Sequence, residues 1–174
     1  HDKSKKETYR RKISYFVGVC FGRYDVRLIS NKKEGRDYSD PGDPLPVCSP
    51  GMLTCENGLP TKNVLSDYPI DIPRDGILVE DEVSTHSLSQ GIRDTLEAVY
   101  GPREMATVER EITEYLGTSD IEEYIINPNN FFEDHKSLYS QSRRRAPIYW
   151  PLQTHSQDYT LWVYYPDLDT QTLY

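Results

Sequence analysis

Residues 36–76, RDYSDPGDPLPVCSPGMLTCENGLPTKNVLSDYPIDIPRDG, hold seven of the chain's twelve prolines and four of its ten glycines, so no long helix or strand can run through them. Proline fixes φ and removes the amide donor that a ladder or a helical turn needs. The stretch reads as one long loop with room for short strands. Loops of this length in compact proteins are functional or wrap over another part of the molecule. Regular structure must therefore come from the flanks, residues 1–35 and 77–174, and 174 residues suffice for a single domain with a real core.

In the first flank, KKETYRRKISYFVGVCFGRY (5–24) predicts a basic helix, because Ile13, Phe16, Val17, Cys20 and Tyr24 recur at helical spacing. Gly18 and Gly22 lie four apart on one face and would let another backbone approach closely. The segment is too short and too charged for a membrane span. A short strand is expected in the remainder of residues 1–35. In the second flank, Ile77-Leu78-Val79 predicts a strand, and residues 77–141 a helical region of about four helices. Leu88, Ile92, Leu96 and Val99 line a helix over 85–100 that Gly101-Pro102 ends. Val108, Ile112, Tyr115 and Leu116 line a second over 103–116 that Gly117 ends. Ser119-Asp120-Ile121-Glu122 has capping-box spacing for a short third. Asn127-Pro128 opens a fourth as N-cap and first helical residue, with Phe131, Phe132, His135, Leu138 and Tyr139 along its stripe. Residues 142–174 combine an arginine cluster with a β-hairpin. Ile148, Trp150 and Leu152 alternate in its first strand, 159–165 is apolar on both sides, and His155-Ser156-Gln157-Asp158 turns between them. Pro147 and Pro151 place the first strand at an edge, or paired on one side only. The expected fold class is α+β: N-terminal helix, Pro-rich loop, helical middle, C-terminal antiparallel hairpin.

The net charge of −8 argues by itself against a nucleic-acid binder, but the charge is segmented. Residues 1–36 sum to +7, residues 37–135 to −16 and residues 136–174 to +1. Three sparse cysteines, Cys20, Cys48 and Cys55, suit a reducing, cytoplasmic setting, and Cys48-x6-Cys55 lacks zinc-ligand spacing. No signal-peptide pattern is present. The first residue, His1, and the abrupt end at Tyr174 read as the limits of a piece of a longer protein.

Few residues are arranged for catalysis. There is no activated-serine turn for a triad. Asp75, Glu80, Asp81 and Glu82 surround a strand without the lysine that a metal-dependent nuclease adds, and read as a solvated strand end. His135, on the Phe131/Phe132 face, is expected to be a hydrogen-bonded core histidine, with a ligand or proton-transfer role as the alternative. Asn127-Pro128-Asn129-Asn130-Phe131 departs from the Asn-Pro-Pro-Tyr pattern of amino-methylating enzymes and fits a helix cap better. No Gly-rich turn for S-adenosylmethionine or phosphate appears. What stands out is SRRRAPIYWPL (142–152). Three adjacent guanidinium groups repel one another unless an anion meets them or water solvates them. Arginine binds phosphate bidentately and stacks on aromatic faces. Arg143, Arg144 and Arg145, with Lys136 upstream, are the candidate phosphate-contacting residues, and the bland reading is a solvated turn.

Five stretches carry a resemblance: ISYFVGVCFGRYDVRL (13–28), DPLPVCSPGML (43–53), DGILVED (75–81), NFFEDHKSLYSQSRRRAPIYWPL (130–152) and YTLWVYYPDLDTQTLY (159–174). They resemble the adenine-specific DNA methyltransferases of bacteriophage-exclusion and phage-growth-limitation systems, related to fused restriction–modification enzymes. The F-G-R-[YW] helix end, the F-F-x-x-H helix and the [RK]-x-P-I-Y-W strand are the most specific parts. Such enzymes move a methyl group from S-adenosylmethionine to adenine N6. The resemblance implies a segment downstream of the methyltransferase core, joining it to the target-recognition region. The cofactor motif and the catalytic Asn-Pro-Pro-Tyr are not in these residues, so no catalytic residue carries over and S-adenosylmethionine is implied only for the parent protein. The implied partners are the core and recognition region of the same parent and, through Arg143–Arg145 and Lys136, the backbone of double-stranded DNA, with no membrane. The alternative is a protein-interaction or purely structural module that docks other domains of the defence enzyme.

Overall fold

The computed structural model describes residues 2–30, 68–73, 75–81, 84, 87–139, 147–165 and 168. In chain order they form α1 (Asp2–Cys20), α2 (Arg27–Ser30), β1 (Ile77–Asp81), α3 (Leu88–Tyr100), α4 (Met105–Leu116), α5 (Ile121–Ile126), α6 (Phe131–Tyr139), β2 (Tyr149–Gln153) and β3 (Tyr159–Tyr164). The architecture is mixed α+β, as expected. Most of the Pro-rich stretch lies outside the described residues, and residues 68–73 at its end form neither helix nor strand.

Helix α1 buries Ile13, Phe16, Val17 and Cys20, the stripe read from the sequence. It ends four residues earlier than expected. Gly22 has φ 73°, and its N–H donates to the Val19 carbonyl at 2.9 Å while the Arg23 N–H donates to Gly18 at 2.8 Å. That pair of bonds is the Schellman closure of a helix, which favours glycine at the left-handed position. Tyr24 then folds back over Gly18, where an added Cβ would lie 2.5 Å from Tyr24 Cε2. The two glycines thus do separate jobs: one stops the helix and the other admits an aromatic ring rather than a backbone. Residues 27–30 make one helical turn, and residues 31–35, the rest of the segment in which a short strand was expected, lie outside the described residues. Buried Asp25 accepts the Arg27 N–H at 3.0 Å and grips its guanidinium through both carboxylate oxygens. Tyr68 closes the corner, its hydroxyl accepting the Val26 N–H at 2.9 Å.

The four middle helices appear with shifted starts. Ser87 caps α3, its Oγ accepting the Gln90 N–H at 3.1 Å, and Leu88, Ile92 and Leu96 are fully buried. Asp120 rather than Ser119 caps α5. It accepts the Glu123 N–H at 2.7 Å, and the Glu123 carboxylate accepts the Ser119 N–H at 2.7 Å. Asn127 does not open α6. It is the C-cap of α5, its Oδ1 accepts the Asn129 N–H at 3.0 Å, and α6 begins at Phe131 after that turn.

The hairpin forms as expected, and β1 joins it to give an antiparallel sheet of order β1-β3-β2. Its register aligns Ile77, Val163 and Trp150 in one row and Val79, Leu161 and Leu152 in the next. The Thr154 N–H donates to Tyr159 at 3.0 Å and the Tyr165 N–H to Ile148 at 3.1 Å. These bonds fix the even-numbered residues of β2 as the ones bonded to β3, so the nitrogen of Pro151 points outward at an edge and no ladder donor is lost. The core lies between the helices and one face of the sheet. Trp162, Tyr149 and Tyr164 of that face are buried together with Phe16, Phe21 and Phe131.

Candidate functional site

The end of α1, helix α6 and strands β2 and β3 meet in one aromatic hub. Phe21 stacks on Tyr149 with ring centres 5.2 Å apart and meets Tyr164 at 5.9 Å. Tyr149 lies 4.9 Å from the ring of His135, and His135 lies 5.8 Å from Phe131. Phe131 meets Trp162 edge-on at 5.3 Å, and Phe132 approaches Trp150 at 5.9 Å. The Arg23 guanidinium lies 5.1, 5.7 and 5.8 Å from the ring centres of Tyr24, Tyr149 and Tyr164, and its Nη1 donates to the Tyr149 hydroxyl at 2.7 Å. Cation–π contact of this kind fixes the plane of a guanidinium. The hub brings together Phe21–Tyr24, Phe131–His135 and Ile148–Trp150, which lie far apart in the sequence.

His135 is fully buried, and its Nε2 accepts the Ile148 N–H at 3.0 Å and the Tyr149 N–H at 3.4 Å. A ring nitrogen that accepts carries no proton, so the imidazole is neutral with its proton on Nδ1. Burial, and then the positive charge of Arg23, push its pKa down from 6.5 to about 3. This is the core histidine expected from the sequence, with a definite task. It ties α6 to the start of β2, across the chain segment that carries Arg143–Arg145.

Those three arginines lie outside the described residues. Lys136, the fourth candidate, sits over the Phe132 ring at 4.8 Å and pairs with Glu133. The basic face of α1 is also engaged within the fold. Lys5 covers Tyr115 at 5.2 Å, Arg10 Nε lies 2.9 Å from Asp134, Arg11 Nε donates to Glu7 at 3.1 Å, and Lys12 Nζ donates to the Tyr100 hydroxyl at 3.3 Å.

A second polar cluster was misread from the sequence. Glu80 is not solvated. Its side chain is buried, accepts the Ser89 N–H at 2.8 Å and the Ser89 hydroxyl at 2.5 Å, and holds β1 against the start of α3. Burial raises its pKa, against the lowering effect of the serine bonds. The signal was available, because Glu80, two residues on from Leu78, shares its inward face. Beside it lies a cavity of about 260 Å³ lined by Cys20, Asp71, Pro73, Leu78, Gln90 and Asp94, among others. The Cys20 thiol at its floor is pushed up to about 12 by burial, so it is protonated and inert as a nucleophile at neutral pH. Among the described residues no three His, Cys, Asp or Glu side chains gather as a metal site, and no helix is long and apolar enough to cross a membrane. His155 is exposed on the hairpin turn; Cys48, Cys55, Glu82 and His86 lie outside the described residues.

The chain matches no family model, no curated protein and no solved structure.

Proposed function

We propose that the chain is a non-catalytic connector of a site-specific DNA adenine N6-methyltransferase of a phage-defence or restriction–modification system. It links the catalytic core to the target-recognition region and meets the DNA backbone through Arg143–Arg145. S-adenosylmethionine belongs to the parent enzyme's core. The observation that carries this reading is the aromatic hub. The three most specific motifs of the family resemblance are far apart in sequence yet pack as one unit, and their polar groups bond inward. His135 accepts backbone amides and Arg23 donates to a tyrosine. Residues used in this way hold elements together. His135 draws the end of α6 and the start of β2 to one place.

Titration of a short fluorescent duplex at several salt concentrations tests the DNA contact. Each phosphate neutralised adds roughly 0.9 to the slope of log K against log salt. Wild-type protein is expected to show a slope steeper by about two to three than a variant with Arg143, Arg144 and Arg145 changed to Ala. Equal slopes, at matched circular dichroism, would remove DNA from the reading.

The second reading, a protein-interaction or structural module, is favoured by the engagement of the α1 cations on internal partners. Absence of duplex binding together with tight binding to the isolated methyltransferase core would select it.

A further inference from the structure

The cavity beside Glu80 has no part in the connector reading. It lies between the end of α1, strand β1 and the first turns of α3, with a volume of about 260 Å³. An apolar cavity of about 150 Å³ holds one benzene ring, so this one takes a ring or a short chain with a polar arm. Its lining offers both kinds of contact. Pro73, Leu78 and Val79 are apolar, and the buried Cys20 thiol is protonated and adds no charge. Asp71, Gln90 and Asp94 are polar.

The charge of what can enter follows from the polar groups. A helix start ordinarily favours an anion. Here the amides at the start of α3 are already engaged. The Ser89 N–H donates to the Glu80 carboxylate at 2.8 Å, the Gln90 N–H to Ser87 Oγ at 3.1 Å and the Gly91 N–H to the Ser87 carbonyl at 2.9 Å. Farther along the helix, Gln90 Nε2 donates to Asp94 Oδ1 at 2.8 Å. A carboxylate accepts and does not donate, so this bond fixes which end of the amide faces Asp94. It leaves Gln90 Oε1 and the second oxygen of Asp94 as acceptors, and among the described residues no donor meets either. No Lys or Arg of the described residues lines the cavity. After burial, the Asp94 charge is the largest cause that pushes the Cys20 thiol up, so that charge is felt at the cavity floor. Such a field draws in a cation. A metal ion is poorly served, because among the described residues no three His, Cys, Asp or Glu side chains gather, and Ca²⁺ takes about six to eight oxygens.

We propose that this cavity binds a small organic cation, a primary ammonium on a short apolar ring or chain. The ammonium meets Asp94 and the Gln90 carbonyl oxygen, and the apolar body lies against Leu78 and Val79. An ammonium carries donors and no acceptor, the complement of the two unmet oxygens, and its bond to a carboxylate is charge-assisted. The site is independent of the methyltransferase reading and stands or falls without it.

Benzylammonium is the probe, with benzyl alcohol as its neutral counterpart and benzoate as its anionic one. The ¹⁵N-labelled chain is titrated with each and read by NMR shifts. Benzylammonium is expected to bind with a Kd on the order of 1 mM, about ten-fold or more tighter than either counterpart. The largest shifts are expected at the Gln90 side-chain amide and at the Val79 and Gly91 backbone amides. Asp94→Asn keeps the shape and removes the charge. It is expected to weaken benzylammonium about five-fold or more and to leave benzyl alcohol nearly unchanged. The comparison of three ligands on the unaltered chain holds whether or not that variant folds. No saturable shift by benzylammonium at about 20 mM would overturn the proposal. So would equal binding of benzyl alcohol or benzoate, or shifts centred on Trp150 and Tyr159 in place of the cavity. Displacement of benzylammonium by an equal concentration of Ca²⁺ would assign the site to a metal and overturn it too, as would unchanged affinity in a folded Asp94→Asn chain.

Discussion

His135 concentrates several constraints on one side chain. Its Nε2 must stay unprotonated to accept the Ile148 N–H, and its ring stacks on Phe131 and lies tilted against Tyr149. The unfolded chain titrates this histidine near 6.5 and the fold lowers it to about 3. Between those values the unfolded chain takes up a proton and the folded one does not. The stability His135 confers is therefore complete above about pH 6.5 and is lost as pH falls, at up to about 1.4 kcal/mol per unit. His135→Phe keeps the ring and removes the acceptor. It is expected to cost about 1–3 kcal/mol at neutral pH by leaving a buried amide unmet. Urea titrations from pH 4 to pH 7 should also show a flatter pH dependence than wild type, and identical dependence would mean that the fold does not lower the pKa of this histidine. Gly18 gives a second test. Gly18→Ala puts a methyl 2.5 Å from Tyr24 Cε2, and Tyr24 is stacked on Tyr15 at 4.9 Å and cannot swing away freely. The expected loss is about 1–3 kcal/mol. In a Tyr24→Ala background the ring is gone and only the Tyr149 hydroxyl remains close, at 3.3 Å, so alanine should recover most of that loss. A double-mutant cycle in urea that shows no such recovery would rule out the ring as the cause.

Strand β1 and helix α3 show where local sequence suffices and where it does not. The buried stripe Leu88, Ile92, Leu96 follows from a 3.6-residue period that any short window contains. The hairpin was equally legible, because four polar residues separate two apolar runs. The pairing of β1 with β3 was not, since Ile77 meets Val163 across more than eighty residues and no local pattern states a partner. The cap of α5 was legible to within one residue, Asp120 for Ser119, because adjacent polar residues offer the backbone equivalent acceptors, whereas α3 starts three residues after 85 and Asn127 closes α5 instead of opening α6. Glu80 was hidden by charged neighbours although its two-residue spacing from Leu78 puts both on one face. In the candidate site, the core place of His135 was legible and its bond to Ile148 was not, because that bond depends on where β2 returns. Glu80 also gives the element-scale prediction. Burial raises its pKa above the ordinary 4.5, so its contribution is complete below that value and is lost as pH rises through the raised one. Glu80→Gln keeps an acceptor for Ser89 without a charge, and is expected to gain in urea midpoint over wild type between pH 4 and pH 8. Glu80→Ala removes the acceptor and should cost about 1–3 kcal/mol throughout. If the Gln variant tracks wild type at both pH values, the two serine bonds fully offset the cost of burial.

The whole molecule is tied end to end. Arg23 and Tyr149 bond across 126 positions, and Phe21 stacks on the same tyrosine. The N-terminal helix therefore cannot complete its packing until the C-terminal hairpin arrives. Such closure argues that helices and sheet form one cooperative unit rather than a helical domain with an attached ribbon. The placement of chromophores makes this measurable. Both tryptophans, Trp150 and Trp162, lie in β2 and β3, whereas far-ultraviolet circular dichroism reports mainly on α1 and the middle helices. Trp162 is buried against Phe131 and dominates the change in fluorescence on unfolding. Urea transitions followed by the two signals are expected to coincide in midpoint and slope. Tyr149→Ala removes a fully buried ring shared by α1, α6 and β3, and should lower both midpoints together by the equivalent of about 3–5 kcal/mol. A fluorescence transition well before the helical one, or a Tyr149 variant that shifts only fluorescence, would show the hairpin to be a separable unit. The hub would then be a local contact, and a connector that transmits rigidly between a catalytic core and a recognition region would lose its physical basis.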